Sequence, residues 1–429
     1  MNAARSTRTR PAGHATPRWF TLFTIAWLVI WTVQLTPLQL LLPLQLNTPD
    51  SAGGWVQGVV SSGFVLGIGG LAGVIAGPLS GALSDRQPGS RPRRRPWAIG
   101  GAWLAAVCLL LTGVSHGPLL IGASWVGVSI GVAVTSAAFT AMIADQLPVA
   151  QRGAASSAAS SAQALGIVVG VGTVVLLGLS YFTGYLVLAI AMAVVGTATA
   201  LLLPDPSGTK FEAQAARAPG EPRFAFLQDH DFRWMLIGRL VVNIGNALGT
   251  ALFLFFLLYG IGQPYDEAQD NLLLIIVVYT IFVVIASIAA GLVSDRIGRR
   301  RGLTIAAAIV QAVSGLVIVA SPTFEMTMVA AALMGVGYGA FSTTGLAFAT
   351  DLLPSERDHA RDLGVVNTTA ALGQLLGPVI GAGLVALVGG FWLLFTAAAV
   401  LSLVGAGLTA LARERRREPD EEDTPAPLG

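Results

Sequence analysis

Charge is scarce along these 429 residues: Lys and Arg together number 25, Asp and Glu 23, and charged residues make up 11% of the chain against 54% apolar ones. A soluble domain carries roughly 25% charged residues. A water-covered surface is therefore excluded, and one that meets lipid, where charge is expensive, is expected. Lysine is nearly missing, with Lys210 alone among arginines. Those arginines cluster in short loops between apolar segments, which argues against nucleic acid as a partner. The one cysteine, Cys108, lies inside an apolar run. It can form no intrachain disulfide or thiolate metal site and is expected to pack. The four histidines are scattered, there is no phosphate loop, and Gly337–Gly339 has no strand before it. No catalytic residue, metal or cofactor is expected.

What the chain has is length of apolar run. A bilayer core takes about 20 apolar residues per helix. Twelve runs meet this: 19–44, 54–83, 97–114, 118–143, 153–179, 182–203, 233–259, 268–293, 302–320, 324–350, 362–388 and 390–411. Length alone splits runs five and six at Ser180–Phe182, and runs eleven and twelve at Gly389–Gly390. Residues 1–18 hold Arg5, Arg8, Arg10 and Arg18 and no acid, and read as a disordered basic arm. The apolar run after Trp19 is too long for a cleaved leader.

Alternate loops differ sharply. One set holds Arg5–Arg18, Arg86–Arg95, Arg152, Lys210–Arg223, Arg296–Arg301, Arg357 with Arg361, and Arg413–Arg417; the other holds no Lys or Arg. The asymmetry predicts both termini in the cytoplasm. Trp19, Trp97, Tyr181, Trp234, Tyr259 and Trp392 mark run ends and read as interfacial anchors. The polar stretch 204–232 divides the runs six and six. The expected layout is an arm (1–18), a six-helix bundle (19–203), a linker (204–232), a second bundle (233–411) and a disordered tail (412–429).

The two bundles repeat. Gly81-Ala-Leu-Ser-Asp85-Arg86 matches Gly291-Leu-Val-Ser-Asp295-Arg296 at an offset of 210. Arg93–Arg95 matches Arg299–Arg301, and Asp145-Gln-Leu-Pro148 matches Asp351-Leu-Leu-Pro354, both at 206. One four-residue insertion in the first loop accounts for the change. Both copies have the same orientation, which predicts parallel repeats about an axis along the membrane normal.

Gly291 to Arg300, read as Gly-x-x-x-Asp-Arg-x-Gly-Arg-Arg, resembles the signature loop of the major facilitator superfamily. The resemblance implies an all-α membrane protein of twelve transmembrane helices in the 6+6 pseudo-symmetric major facilitator fold, and transport by alternating access. The longer first copy, Ser84-Asp85-Arg86 followed by Arg93-Arg94-Arg95-Pro96-Trp97, is similar to the loop of the glycoside and sucrose transporter branches. A small neutral, sugar-like solute is the expectation that follows. Gly373-x-x-x-Gly377-Pro378 resembles a drug-antiporter signature, but in helix eleven rather than five. It reads as small-residue packing at a bend.

The resemblance also implies that Asp85 and Asp295 close the cytoplasmic gate in the outward-facing state; Asp85 is expected to meet the helix-eleven start near Arg361 or Asp362, and Asp295 the helix-five start near Arg152. A carboxylate at a helix N-terminus gains about 0.3–1 kcal/mol. Arg86, Arg296, Gly298 and Arg299 complete the signature loops, and the arginine triplets read as topology signals. The resemblance places helices 1, 4, 7 and 10 around the solute. On helix 1, Trp27, Trp31 and Gln34 share a face, with Pro37 predicting a kink. On helix 7, Arg239, Asn243, Asn246 and Thr250 share another, Asn246 standing about 20 Å from Arg233, while Arg239 is expected to snorkel to the cytosol. Helix 10 offers Tyr338 and Ser342, and helix 4 offers Ser136. Gln163, Asn367 and Gln374 either reach the cavity or join helices.

No carboxylate falls near the midplane, so proton coupling is left open beside a facilitated mechanism. The expected partners are a small-molecule solute and the bilayer of a bacterial inner (plasma) membrane, with a monomer sufficient. The alternatives are an exporter of amphipathic or drug-like compounds, and a non-transporting receptor on a transporter scaffold.

Overall fold

A computed structural model describes residues 16–49, 53–85, 94–205, 229–352 and 359–413. Most of the arm, of the linker and of the tail, and the signature-loop residue Arg86, lie outside them, as do the side chains of Asp85, Arg361 and Asn367.

The helices are α1 (Pro17–Leu46), α2 (Gly54–Asp85), α3 (Arg95–Val114), α4 (Pro118–Gln146), α5 (Val149–Leu176) and α6 (Tyr181–Leu202). Then come α7 (His230–Ala251, continued as Phe253–Ile261 after a 44° bend), α8 (Tyr265–Ile297), α9 (Arg300–Ala320), α10 (Phe324–Asp351), α11 (His359–Val388) and α12 (Trp392–Leu411). Eleven are long and apolar enough to cross a membrane by themselves, and the bent α7 makes twelve. Both splits that rested on length alone fall where expected.

Local chemistry sets the helix ends. Thr16, Ser180, Asp229 and Thr323 cap the N-termini of α1, α6, α7 and α10 by accepting backbone N–H bonds. Prolines open α1, α3 and α4, where the missing N–H costs nothing. Gly298, at φ +66°, ends α8 in the left-handed conformation, which explains the glycine of the signature loop. The kink expected at Pro37 is a π-helical turn, Pro37–Leu41. Its counterpart in α7, the bend and the π-turn Phe256–Ile261, carries no proline to signal it.

Packing repeats between the halves. In the first, α2 packs on α4, α3 on α4 and α6, and α1 on α5 and α6; adding six to each number gives the principal pairs of the second. Atoms follow the 206 frame. A Cβ on Gly131 would stand 2.5 Å from Ala105 N and 2.7 Å from Gly101 O, and one on Gly337 2.7 Å from Gln311 N and 2.9 Å from Ala307 O. Each is a backbone-to-backbone approach only glycine allows.

The arginine triplets do more than set topology. Arg94 Nε meets Asp145 Oδ2 at 2.8 Å and Arg300 Nη1 meets Asp351 Oδ1 at 2.8 Å, one pair per half. Arg95 donates to the carbonyls of Ala200, Leu201 and Leu203 at the end of α6, and Arg301 to that of Ala410 at the end of α12. Trp19 is no interfacial anchor either: it is buried, and its Nε1 donates to Gln146 at 2.7 Å.

Candidate functional site: a chamber between the halves

The halves meet through α2 against α11 and α5 against α8. Where they touch decides which end is closed. The chain ends and the arginine loops define a basic side, opposite a distal side. Along α2, Cβ positions at Gly63, Gly67 and Gly70 abut Ala382, Val379 and Leu375 of α11, whereas those at Gly77 and Gly81, nearer the basic side, have nothing within 4 Å. On α5, Gly172 near the distal end reaches Leu273 of α8, while Gly153 near the basic end has nothing within 4 Å. Ser156, Ser157, Ser160 and Ser161 stand exposed along the basic half of α5. Exposed hydroxyls fit a water-lined opening better than hydrocarbon.

The distal end is sealed. Tyr259 donates its hydroxyl to Asn47 Oδ1 at 2.7 Å across the halves. Trp55 stacks on Tyr259 at 4.9 Å and on Phe391 at 5.5 Å between centroids. Tyr259 is therefore a lock between halves rather than an anchor. Its helix can reach because α7 bends after Ala251, where it touches the π-turn of α1. Composition gives no sign of this pairing, since Asn47 and Tyr259 are 212 residues apart.

The expected solute-site residues divide by what their polar atoms do. Trp31 donates Nε1 to the Ala159 carbonyl at 3.1 Å, so its hydrogen joins α1 to α5 and only the ring is free to act. Trp27 lies beside it at 6.0 Å between centroids, buried, its Nε1 unpartnered. Gln34 and Ser136 are half-buried and make no hydrogen bond. The same holds for Gln163 and Gln374. Asn243 is buried, donating to the Arg239 carbonyl at 2.8 Å and to Thr369 at 3.4 Å. It holds α7 to α11 and offers a solute little. Asn246 keeps an unpartnered Oδ1 and neighbours Tyr279 of α8, whose ring stacks on Tyr338 at 6.4 Å. Ser342 is half-buried one turn from Tyr338.

Arg239 departs most from expectation. It does not snorkel: it is 8% exposed, about 14 Å along α7 from His230 at ~1.5 Å per residue. Neither Nε nor Nη1 has a hydrogen-bond partner. Its guanidinium lies over the Phe341 ring at 5.8 Å and close to Tyr338. An arginine within a membrane helix costs about 2.5–3.5 kcal/mol on insertion scales. A cation–π contact returns about 0.5–2 kcal/mol, which leaves a deficit that water or a ligand must offset.

At the basic side, Asp295 is 75% exposed with Arg300 Nη2 at 3.7 Å, and Arg152 Nε bonds the Leu147 carbonyl at 3.2 Å. Arg296 and Arg299 are exposed. With this end parted, the expected Asp295–α5 contact is not made. Every Asp and Glu among the described residues lies in a loop or within two turns of a helix end.

The family model of the Major Facilitator Superfamily matches residues 3–171, 89–269 and 240–428, which together span nearly the whole chain. An uncharacterised MFS-type transporter of Mycobacterium tuberculosis (Rv1877, strain ATCC 25618 / H37Rv) is 30% identical over 215 residues, 49% of this chain and 30% of that protein. Multidrug resistance protein Stp of the same species (strain CDC 1551 / Oshkosh) is 26% identical over 147 residues, 32% of this chain and 27% of Stp. The chain thus spans under a third of the length of these relatives. Among solved structures, a point mutant of the nucleoside transporter NupG superposes with a TM-score of 0.70 at 14% identity, over 92% of this chain and 97% of that one. A D-xylose-proton symporter does so at 0.67 and 15%, over 92% and 97%. At such identities the likeness shows the fold.

Proposed function

The chain belongs to the Major Facilitator Superfamily, a family of transporters rather than enzymes, and on that premise we propose that it carries a small amphipathic solute by alternating access. In this reading the membrane is the bacterial plasma membrane, both termini are cytoplasmic, the arrangement is the inward-facing one, and a monomer suffices. The observation that carries it is the one-sided contact between halves: locked at Asn47, Trp55, Tyr259 and Phe391, parted beside Gly77, Gly81 and Gly153. A channel would need no such lock, and a rocking carrier needs one on each side in turn.

The walls favour an amphipathic over a sugar-like solute. One half presents the rings of Trp27 and Trp31 with the free amide of Gln34, the other the phenols of Tyr279 and Tyr338 with Asn246. Apolar walls with a few placed polar groups suit such a ligand. The sugar expectation came from the loop around Arg94, and there Arg94 is bound to Asp145 and Ser84, away from the chamber. With no midplane carboxylate among the described residues, coupling through one is not part of the proposal. Asp85 and Asp295 remain the proposed closing contacts of the outward-facing state, with Arg152 and Arg361 opposite them.

Uptake in proteoliposomes, against sugars, lipophilic cations and amphipathic anions at several proton gradients, tests the proposal. Saturable, counter-flow-sensitive uptake of an amphipathic compound is expected. Uptake of none favours a receptor, and uptake of sugars alone restores the neutral-sugar reading.

A further inference from the structure

We propose that Arg239 receives a single negative charge, a carboxylate, on the transported solute; this rests on the chamber described above and names the class of what it holds. Arginine stays protonated under all ordinary conditions, so this position carries a fixed positive charge in both states of the carrier. Its Nε and Nη1 lack partners although the side chain is more than nine-tenths buried. Groups of this kind are nearly always hydrogen-bonded, and an exception asks for an explanation.

The surroundings fit an anion of one charge. Tyr338, Phe341, Ser342 and Gly345 share one face of α10, spaced three and four residues apart, and that face meets the guanidinium. Phe341 lies beneath it, Tyr338 brings a neutral hydroxyl close by, and Ser342 lies one turn from Tyr338 on the same helix. Gly345 leaves the room: a Cβ there would stand 2.9 Å from Arg239 Nη1. No second cation is near, because the other described arginines lie at the membrane ends or beside loops. One guanidinium neutralises one carboxylate, while a doubly charged phosphate would leave a buried negative charge. The planar fork also matches a carboxylate in two hydrogen bonds. The ring-lined face of α1 would take the apolar body of the same solute. Closing the chamber then buries an ion pair rather than a bare cation, so loading and closure are linked.

The test uses the full chain in nanodiscs of zwitterionic lipid. Probes are 4-phenylbutyrate against 4-phenylbutyramide and octanoate against octanamide, with inorganic phosphate alongside, and binding is read from the shift in thermal unfolding. Each carboxylate should bind about tenfold or more tightly than its amide, the scale of a charge-assisted hydrogen bond. Arg239→Gln should abolish the difference and Arg239→Lys should keep part of it. Should Arg239→Gln fail to fold, Gly345→Ala presses on the guanidinium without removing it, and should weaken carboxylates several-fold while sparing amides. Equal binding of acid and amide, a preference that survives Arg239→Gln, phosphate binding tighter than either acid, or no carboxylate binding would each overturn the inference. Label distances that still report both ends opening in turn would leave the transport proposal standing.

Discussion

Removing one oxygen from the distal lock should open that end in measurable proportion. Tyr259→Phe keeps the ring stacked on Trp55 and deletes only the 2.7 Å hydrogen bond to Asn47. A net hydrogen bond is worth about 0.5–1.5 kcal/mol. At about 1.4 kcal/mol per tenfold, the ratio of distal-open to distal-closed molecules should rise roughly 2- to 13-fold. Trp55→Ala goes further, because Trp55 stacks on both Tyr259 and Phe391. Two aromatic pairs at about 0.5–1.5 kcal/mol each give about 1–3 kcal/mol, or roughly 5- to 150-fold. Asn47→Ala should match Tyr259→Phe, and the double variant should add little, because both delete the same bond. Spin labels at Leu119→Cys and Leu387→Cys, each 76% exposed at the distal ends of α4 and α11, read the ratio from the distance distribution. Cys108→Ala removes the competing thiol. Unchanged distributions in all three variants, or a larger effect from Tyr259→Phe than from Trp55→Ala, would refute the reasoning.

The repeat makes paired predictions. Asp145→Asn removes the carboxylate that meets the buried Arg94 at 2.8 Å and should destabilise the fold, whereas Asp351→Asn, opposite the more exposed Arg300, should cost less; melting of the purified variants in detergent ranks them. Gly131→Ala forces a methyl to within 2.5 Å of the Ala105 nitrogen and should destabilise by about 1–3 kcal/mol, while Gly77→Ala, with nothing within 4 Å, should melt as the parent does. Trp31→Phe removes the hydrogen donated to Ala159 and should cost about 1 kcal/mol of stability, with solute affinity held by the remaining ring.

What could be read in advance follows from what each feature depends on. Helix number, the two uncertain splits and the 206-residue frame depend on apolar length and on repeated local motifs, and these are written along the chain. The same frame relates the pairs Arg94–Asp145 and Arg300–Asp351, although the triplets alone read as topology signals. The lock depends on residues 212 positions apart that meet only when the halves close, and Tyr259 alone looked like an anchor. Asn243 shared a face with Asn246, yet the facing Thr369 claimed it, because α11 packs against α7 there. Arg239 misled for a related reason. Its distance from the helix start allowed a snorkelling rotamer, whereas in the structure it turns inward over Phe341 into the gap at Gly345.

The central claim, a chamber open at one end at a time, meets its most direct test in a single cysteine at Gln34→Cys with Cys108→Ala. Gln34 is half-buried and makes no hydrogen bond, and the proposed solute path runs past it. Membrane-impermeant maleimide should label it in inside-out vesicles and leave it unlabelled in right-side-out ones, with Tyr259→Phe raising the latter rate. Equal labelling from both sides in the parent, or none from either, would contradict the account.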